Sequence, residues 1–249
     1  MTGHIESALS HRSPLPEKSN SAQVAACLAL TPFLLFLSLV LCCALIVKPA
    51  FAADITTIDI SGKGANTTIK IIEPGAYRLT GSSSKVWIDV KVGNVDLYLA
   101  DGLNITPGIS ANTGASCPSI KIEEAGGTVN IISEAGANAY FGSYLGAPAI
   151  QKEGNETKLV FKTADPSNPG TITAKAPDTS CSAGIGSCLY VIDTSKASTG
   201  NMVFESGKVI AYGGTNAAGI GGGAGKDHTT GITIKGTAEI EAHGGSGGA

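Results

Sequence analysis

AYGGTNAAGIGGGAGKDHTTGITIKGTAEIEAHGGSGGA, residues 211–249, closes the chain and repeats itself as it does so. The YGG that starts at Tyr212 is answered by HGG at His243, 31 positions later. The AGIG that starts at Ala218 restates the AGIG at Ala183, 35 positions earlier. GTITA from Gly170, GKVIA from Gly207 and AEIEA from Ala238 each run into such a turn region. Periods of roughly 20–50 residues mark stacked repeat architectures. A propeller blade needs four strands in about 40–45 residues, whereas each unit here has room for two or three. A solenoid is therefore expected. The competing reading is a flexible Gly-rich linker. Ile185, Ile220, Ile232, Ile234 and Ile240 count against it, because linkers do not carry apolar residues at strand spacing.

Working back toward the N-terminus, the same alternation recurs. In VWIDVKV, Val86, Ile88, Val90 and Val92 fall on one face, and Trp87, Asp89 and Lys91 on the other. In VDLYL, Val95, Leu97 and Leu99 point one way, and Asp96 and Tyr98 the other. SIKIE, TVNII, KLVFK, TITA, GITIK and AEIEA continue the pattern. Period-two alternation over four to seven residues is the signature of a half-buried strand. The separators are turn formers: Gly93 and Asn94, Asp101 and Gly102, Gly126 and Gly127, residues 166–170, Gly213 and Gly214. No stretch of the mature chain shows sustained helical periodicity.

These features together predict an all-β chain wound as a parallel β-helix, each coil sending Val, Ile, Leu or Ala into a shared core. Right-handed coils follow from the general preference of parallel crossovers. AAGIGGG suits a coil corner: Ile220 points inward to stack on Ile185, and the glycines permit positive φ and close backbone approach. No coil buries its apolar face alone, so the stack is stable only as a set. Residues 54–165 are expected to form N-terminal coils, and 166–249 Gly-rich coils. No capping helix or polar strand follows the last repeat, so a longer natural product is expected.

The phrase GAYRLTGSSSKVWIDVKVGNVDLYLADGLNI, residues 75–105, resembles the start of secreted bacterial carbohydrate-binding β-helix proteins. The matching positions are Gly75, Tyr77, Leu79 and Gly81, then Ile88 and Val90, then Val95, Leu97, Leu99, Gly102 and Ile105. APAIQ and AGIG resemble later coils of that family, so the likeness covers most of residues 54–249. The Gly-rich tail also resembles repeats of large bacterial surface proteins. The resemblance implies non-catalytic binding of an acidic polysaccharide of the polygalacturonate type, with calcium as a bound ion. It carries over no calcium ligand residue by residue.

Residues 1–53 read as an export signal. Arg12 and Lys18 precede an apolar run over 24–47 that Pro32 interrupts, and Ala50, Phe51 and Ala52 form a small-x-small cleavage pattern. An uncleaved anchor is the alternative, since the whole run is long enough to span a bilayer. Cys42 and Cys43 suggest lipidation, but Leu41 stands where a small residue is wanted. The whole chain carries 17 Lys and Arg against 20 Asp and Glu. Removing Glu6, Arg12, Glu17, Lys18 and Lys48 with the signal leaves a mature charge of −4 and one arginine, Arg78. Without a basic patch, nucleic acid is not an expected partner. Secretion or display on a bacterial surface is the expected location. In an oxidising compartment Cys181 and Cys188 could close a short loop, leaving Cys117 over; three thiols are the alternative. No zinc-ligand spacing occurs.

Catalysis finds little to build on. A β-helix lyase needs a carboxylate cluster for calcium and a basic residue, and a glycosidase needs converging carboxylates. The acids here are scattered. Glu123 and Glu124, as strand neighbours, face opposite sides. His228 and His243 lie in Gly-rich corners. The phosphate-loop likeness of AAGIGGGAGK fails because Asp227 follows Lys226. No enzyme is expected, although a polysaccharide lyase remains an alternative. Binding is better served by Trp87, Asp89, Asp96 and Tyr98, all outward. Aromatic faces stack on sugar rings, and carboxylates accept hydroxyl hydrogen bonds or hold a cation such as calcium. The competing role for Trp87 is packing under a cap. Asp101 and Gly102 read as a plain turn, and Tyr140, Phe141 and Tyr144 as an inserted loop that packs. The alternative to glycan binding is a structural stalk or adhesin segment.

Overall fold

The computed structural model describes residues 54–64, 66–108, 117–123, 125–152, 154–188, 199–225 and 231–247. All fall in one compact unit, Ala52–Ala249. The expected export segment, His228 and the Lys226–Asp227 pair lie outside the described residues.

No helix occurs among the described residues; the chain is a succession of strands. The first are β1 (Thr56–Asp59), β2 (Thr67–Ile71), β3 (Gly75–Thr80) and β4 (Ser82–Ser83). Then come β5 (Val86–Val90), β6 (Val95–Leu99) and β7 (Asn104–Ile105). The central region holds β8 (Cys117–Pro118), β9 (Ile120–Ile122), β10 (Thr128–Ser133), β11 (Asn138–Phe141) and β12 (Ser143–Tyr144). It continues with β13 (Ile150–Lys152), β14 (Lys158–Thr163) and β15 (Thr171–Lys175). The last are β16 (Ile185–Gly186), β17 (Met202–Tyr212), β18 (Ile220–Gly221) and β19 (Ile232–His243).

Pairing is parallel throughout, except between the two-residue strands β8 and β12. One sheet has six strands in the order β18-β16-β13-β9-β5-β2. The other runs β1-β3-β6-β10-β14-β17-β15-β11-β7-β4, with β19 on β17. The long strand β17 joins two limbs of this sheet. Its Met202–Phe204 part pairs with β14, and its Lys208–Tyr212 part pairs with β15. The chain therefore passes repeatedly from the six-stranded sheet to the first limb, then to the second limb, and back. Each circuit lies in register on the one before. The expected all-β, parallel architecture is found, in curled sheets.

The repeat in the C-terminal sequence is the length of one such circuit. Ile185 pairs with Ile220, and Tyr212 with His243, whose rings stack at 4.7 Å and 9°. The pairing extends back through every circuit as an isoleucine column: Ile69, Ile88, Ile120, Ile150, Ile185, Ile220. In the first limb, Tyr77, Leu97, Ile131, Phe161, Phe204 and Ile234 form a second column. Phe161 and Phe204 stack within it at 4.8 Å. In the second limb, Ile105, Phe141, Ala174, Ala211 and Ala242 form a third. The three columns meet in one core. Each fully buried isoleucine or leucine there contributes about 1.5–3 kcal/mol.

Tyr140 and Phe141 do not form an inserted loop. Both are on β11, because period-two alternation continues through NAYF: Phe141 enters the core, and Tyr140 faces out. Lys152 is the larger surprise. It continues the inward column Ile71, Val90, Ile122, is 1 % exposed, and donates from Nζ to the Gly154 carbonyl at 2.6 Å.

Candidate functional site

On β5, alternation turns Val86, Ile88 and Val90 into the core and Trp87 and Asp89 outward, as expected from the sequence. Trp87 is half-buried and lies opposite Thr68 of β2. Asp89 lies in a row with Lys70 on one side and Lys121, then Gln151, on the other. Strand neighbours in such a row sit about 4.8 Å apart, and alternate residues along β5 about 6.6 Å apart. Trp87 and Asp89 are thus adjacent on one outer face.

That face carries an ionic network. Lys91 Nζ is 3.1 Å from Asp89 Oδ2 and 2.8 Å from Glu123 Oε1, and Lys121 Nζ is 3.3 Å from the same Glu123 oxygen. Although outward, Asp89 is only 8 % exposed. Its other oxygen, Oδ1, is buried without a protein donor, a state that costs about 1–3 kcal/mol unless a donor is supplied. The Lys91 ammonium is held above its ordinary range by hydrogen bonds to Glu123 and then to Asp89. Burial pushes the Glu123 carboxyl up, but Lys91 and Lys121 together outweigh burial and hold it below its ordinary value. Lys70 is exposed and forms no ion pair among the described residues.

Asp96 and Tyr98 are also outward, as expected, but they do not join this face. They are on β6, in the first limb of the other sheet. Asp96 pairs in register with Ala76 and Asn130, and accepts a 2.6 Å hydrogen bond from Asn130 Nδ2 at Oδ1. Tyr98 lies between Arg78 and Ile132. Arg78 reaches Glu134, two strands away from its own, with Nη2 2.7 Å from Oε2. The turn at Gly93 and Asn94 is a corner that carries the chain from one sheet to the other. Asn94 adopts φ 59°, and a Cβ on Gly93 would meet the Gly126 carbonyl oxygen at 2.0 Å. The four expected residues therefore divide into two pairs on different faces. Lys91, already placed outward by the alternation, joins Trp87 and Asp89 together with Lys70, Lys121, Glu123 and Gln151, none of which the sequence marks as a candidate for binding. The alternation in SIKIE already places Lys121 and Glu123 outward; only the partner circuit was missing.

The loop holding Cys181 and Cys188 is closed by the backbone. Ala183 N donates to the Ser187 carbonyl at 3.2 Å, and the two cysteines carry thiols with no bridge between them. Cys117 is buried on β8, and burial pushes its thiol up. Asp101 and Gly102 form the expected turn: Gly102 has φ 73°, and Asp101 Oδ1 accepts from Asn138 N at 2.9 Å, which lowers the carboxyl's pKa.

Asp89 and Glu123 do not fit a calcium site, because Lys91 bridges both and a divalent ion would have to displace its ammonium. Among the described residues, no three His, Cys, Asp or Glu side chains converge to hold a metal. The face can instead offer an aromatic plane, a carboxylate acceptor and lysine donors side by side. Comparison with family models, curated proteins and solved structures finds no match to this chain.

Proposed function

We propose that the protein is a secreted or surface-displayed right-handed parallel β-helix that binds polysaccharide without cleaving it. Binding takes place on the outer face of the six-stranded sheet around Trp87. The observation that carries this reading is the juxtaposition of Trp87 with Asp89, whose Oδ1 is without a donor, and with the unpaired Lys70. A pyranose ring stacks on the indole, and a ring hydroxyl donates to the carboxylate after a small shift of the side chains over it. Lys70, Lys91 and Lys121 outnumber Asp89 and Glu123 on this face, which favours a glycan bearing carboxylates. The repeat pattern, the apolar run before Ala50 and the resemblance to secreted β-helix proteins support the handedness and the location.

Retention on insoluble acidic and neutral polysaccharides, with and without calcium, tests the reading. Retention on an acidic glycan is expected without added calcium. Trp87→Ala is expected to weaken it by about tenfold, while Tyr98→Ala leaves it unchanged. No retention on any glycan, or equal loss in both variants, overturns the assignment. The second reading is a structural stalk. The unbroken register of the isoleucine column favours it, and it is the reading left standing if Trp87→Ala changes nothing.

A further inference from the structure

Taking the Trp87 indole as the platform on which one sugar stacks, we infer that the glycan chain lies along β5, across the stack of circuits. Lys85 and Lys70 then hold carboxylates on the two sugars that flank the stacked one. Lysines on this face are of two kinds. The Lys91 and Lys121 ammoniums sit within 3.3 Å of Asp89 or Glu123 oxygens, so their charge is already balanced. Lys70 and Lys85 are exposed, and their side chains make no ion pair or hydrogen bond among the described residues.

Lys85 immediately precedes β5, and its carbonyl accepts from Thr67 N at 2.9 Å, so the parallel ladder already includes it. Alternation puts Lys85 on the same face as Trp87 and Asp89. Lys70 lies opposite Asp89, two positions past Trp87 in the other direction. The two free ammoniums thus bracket the indole. Their backbones are about 13 Å apart along the strand direction and one strand apart across it. That span exceeds one pyranose ring, so the two lysines need carboxylates from two different sugars. Between them, the Asp89 carboxylate suits a hydroxyl and repels a third anion. The perpendicular direction offers no such partners. Toward the later circuits, Ser119 and then Ala149 follow Trp87 in its row, and both are 0 % exposed. Ser119 Oγ lies 2.6 Å from the Ile105 and Gly142 carbonyl oxygens, which take its one proton. A chain laid along the stack would pass from the indole onto covered, uncharged surface.

Calorimetric titration of the full chain with 1,4-linked oligogalacturonates of two to six sugars tests this. The trisaccharide is expected to bind about fivefold more tightly than the disaccharide, which covers the indole but reaches only one lysine. Lys70→Ala and Lys85→Ala should each weaken trisaccharide binding about fivefold, whereas Lys70→Arg and Lys85→Arg keep it. In each alanine variant the gap between the two oligomers should close. Lys162→Ala, on the outer face of the first limb, is expected to bind like the parent. Binding that Trp87→Ala weakens but both lysine-to-alanine variants leave unchanged overturns the inference and leaves the glycan site standing. A length gap that persists in those variants does the same. A parent that binds no oligomer and is retained on no acidic polymer overturns both.

Discussion

Gly186 shows how much of this fold rests on single atoms left out. Its φ is +136°, and a Cβ there would meet the Gly221 carbonyl oxygen at 2.0 Å. Gly102 also has positive φ, +73°, but open space around it. Gly186→Ala is therefore expected to cost roughly 3 kcal/mol or more, and Gly102→Ala about 1, in urea denaturation midpoints. Glu123 gives a pH signature. Its carboxyl is held below the ordinary 4.5, so its stabilising effect is complete above that value and disappears as pH falls through the depressed one. Thermal melts between about pH 6 and 3 should show a steeper acid loss in the parent than in Glu123→Gln. Which way Trp87, Asp89, Asp96 and Tyr98 point was legible, because facing depends only on the period of two. Which of them stand together was not, because that depends on where the chain turns between sheets.

Strands obey the same division. The long alternating segments, β5, β6, β10, β14 and β15, could be read directly. The two-residue strands β16 and β18 carry no periodicity of their own; the AGIG repeat alone revealed them. β4 and β8 left no signal, since two residues paired to a neighbouring circuit look like loop in one dimension. The isoleucine column that these short elements complete has a measurable consequence. Ile150 is at 0 % exposure between Ile120 and Ile185, so Ile150→Ala is expected to cost about 2–5 kcal/mol. Ile234→Ala, on the open last strand, should cost under about 1 kcal/mol by the same equilibrium unfolding.

Across the molecule, each circuit touches mainly the one before and the one after, so stability is set by nearest-neighbour interfaces. Amide exchange should be slowest in β10, β13 and β14, which are paired on both sides, and faster in β1 and β2, which are paired on one. The same nearest-neighbour logic carries a hazard. Aliphatic layers that look alike discriminate poorly between correct and skipped partners, so a growing stack could lose its count. Lys152 works against that error. Seated inward, its ammonium donates to the Gly154 carbonyl of its own layer. Any misthreaded chain would strand a cation between isoleucines at a cost of several kcal/mol. One buried charge would thus serve as an index mark for the layer a folding chain has reached.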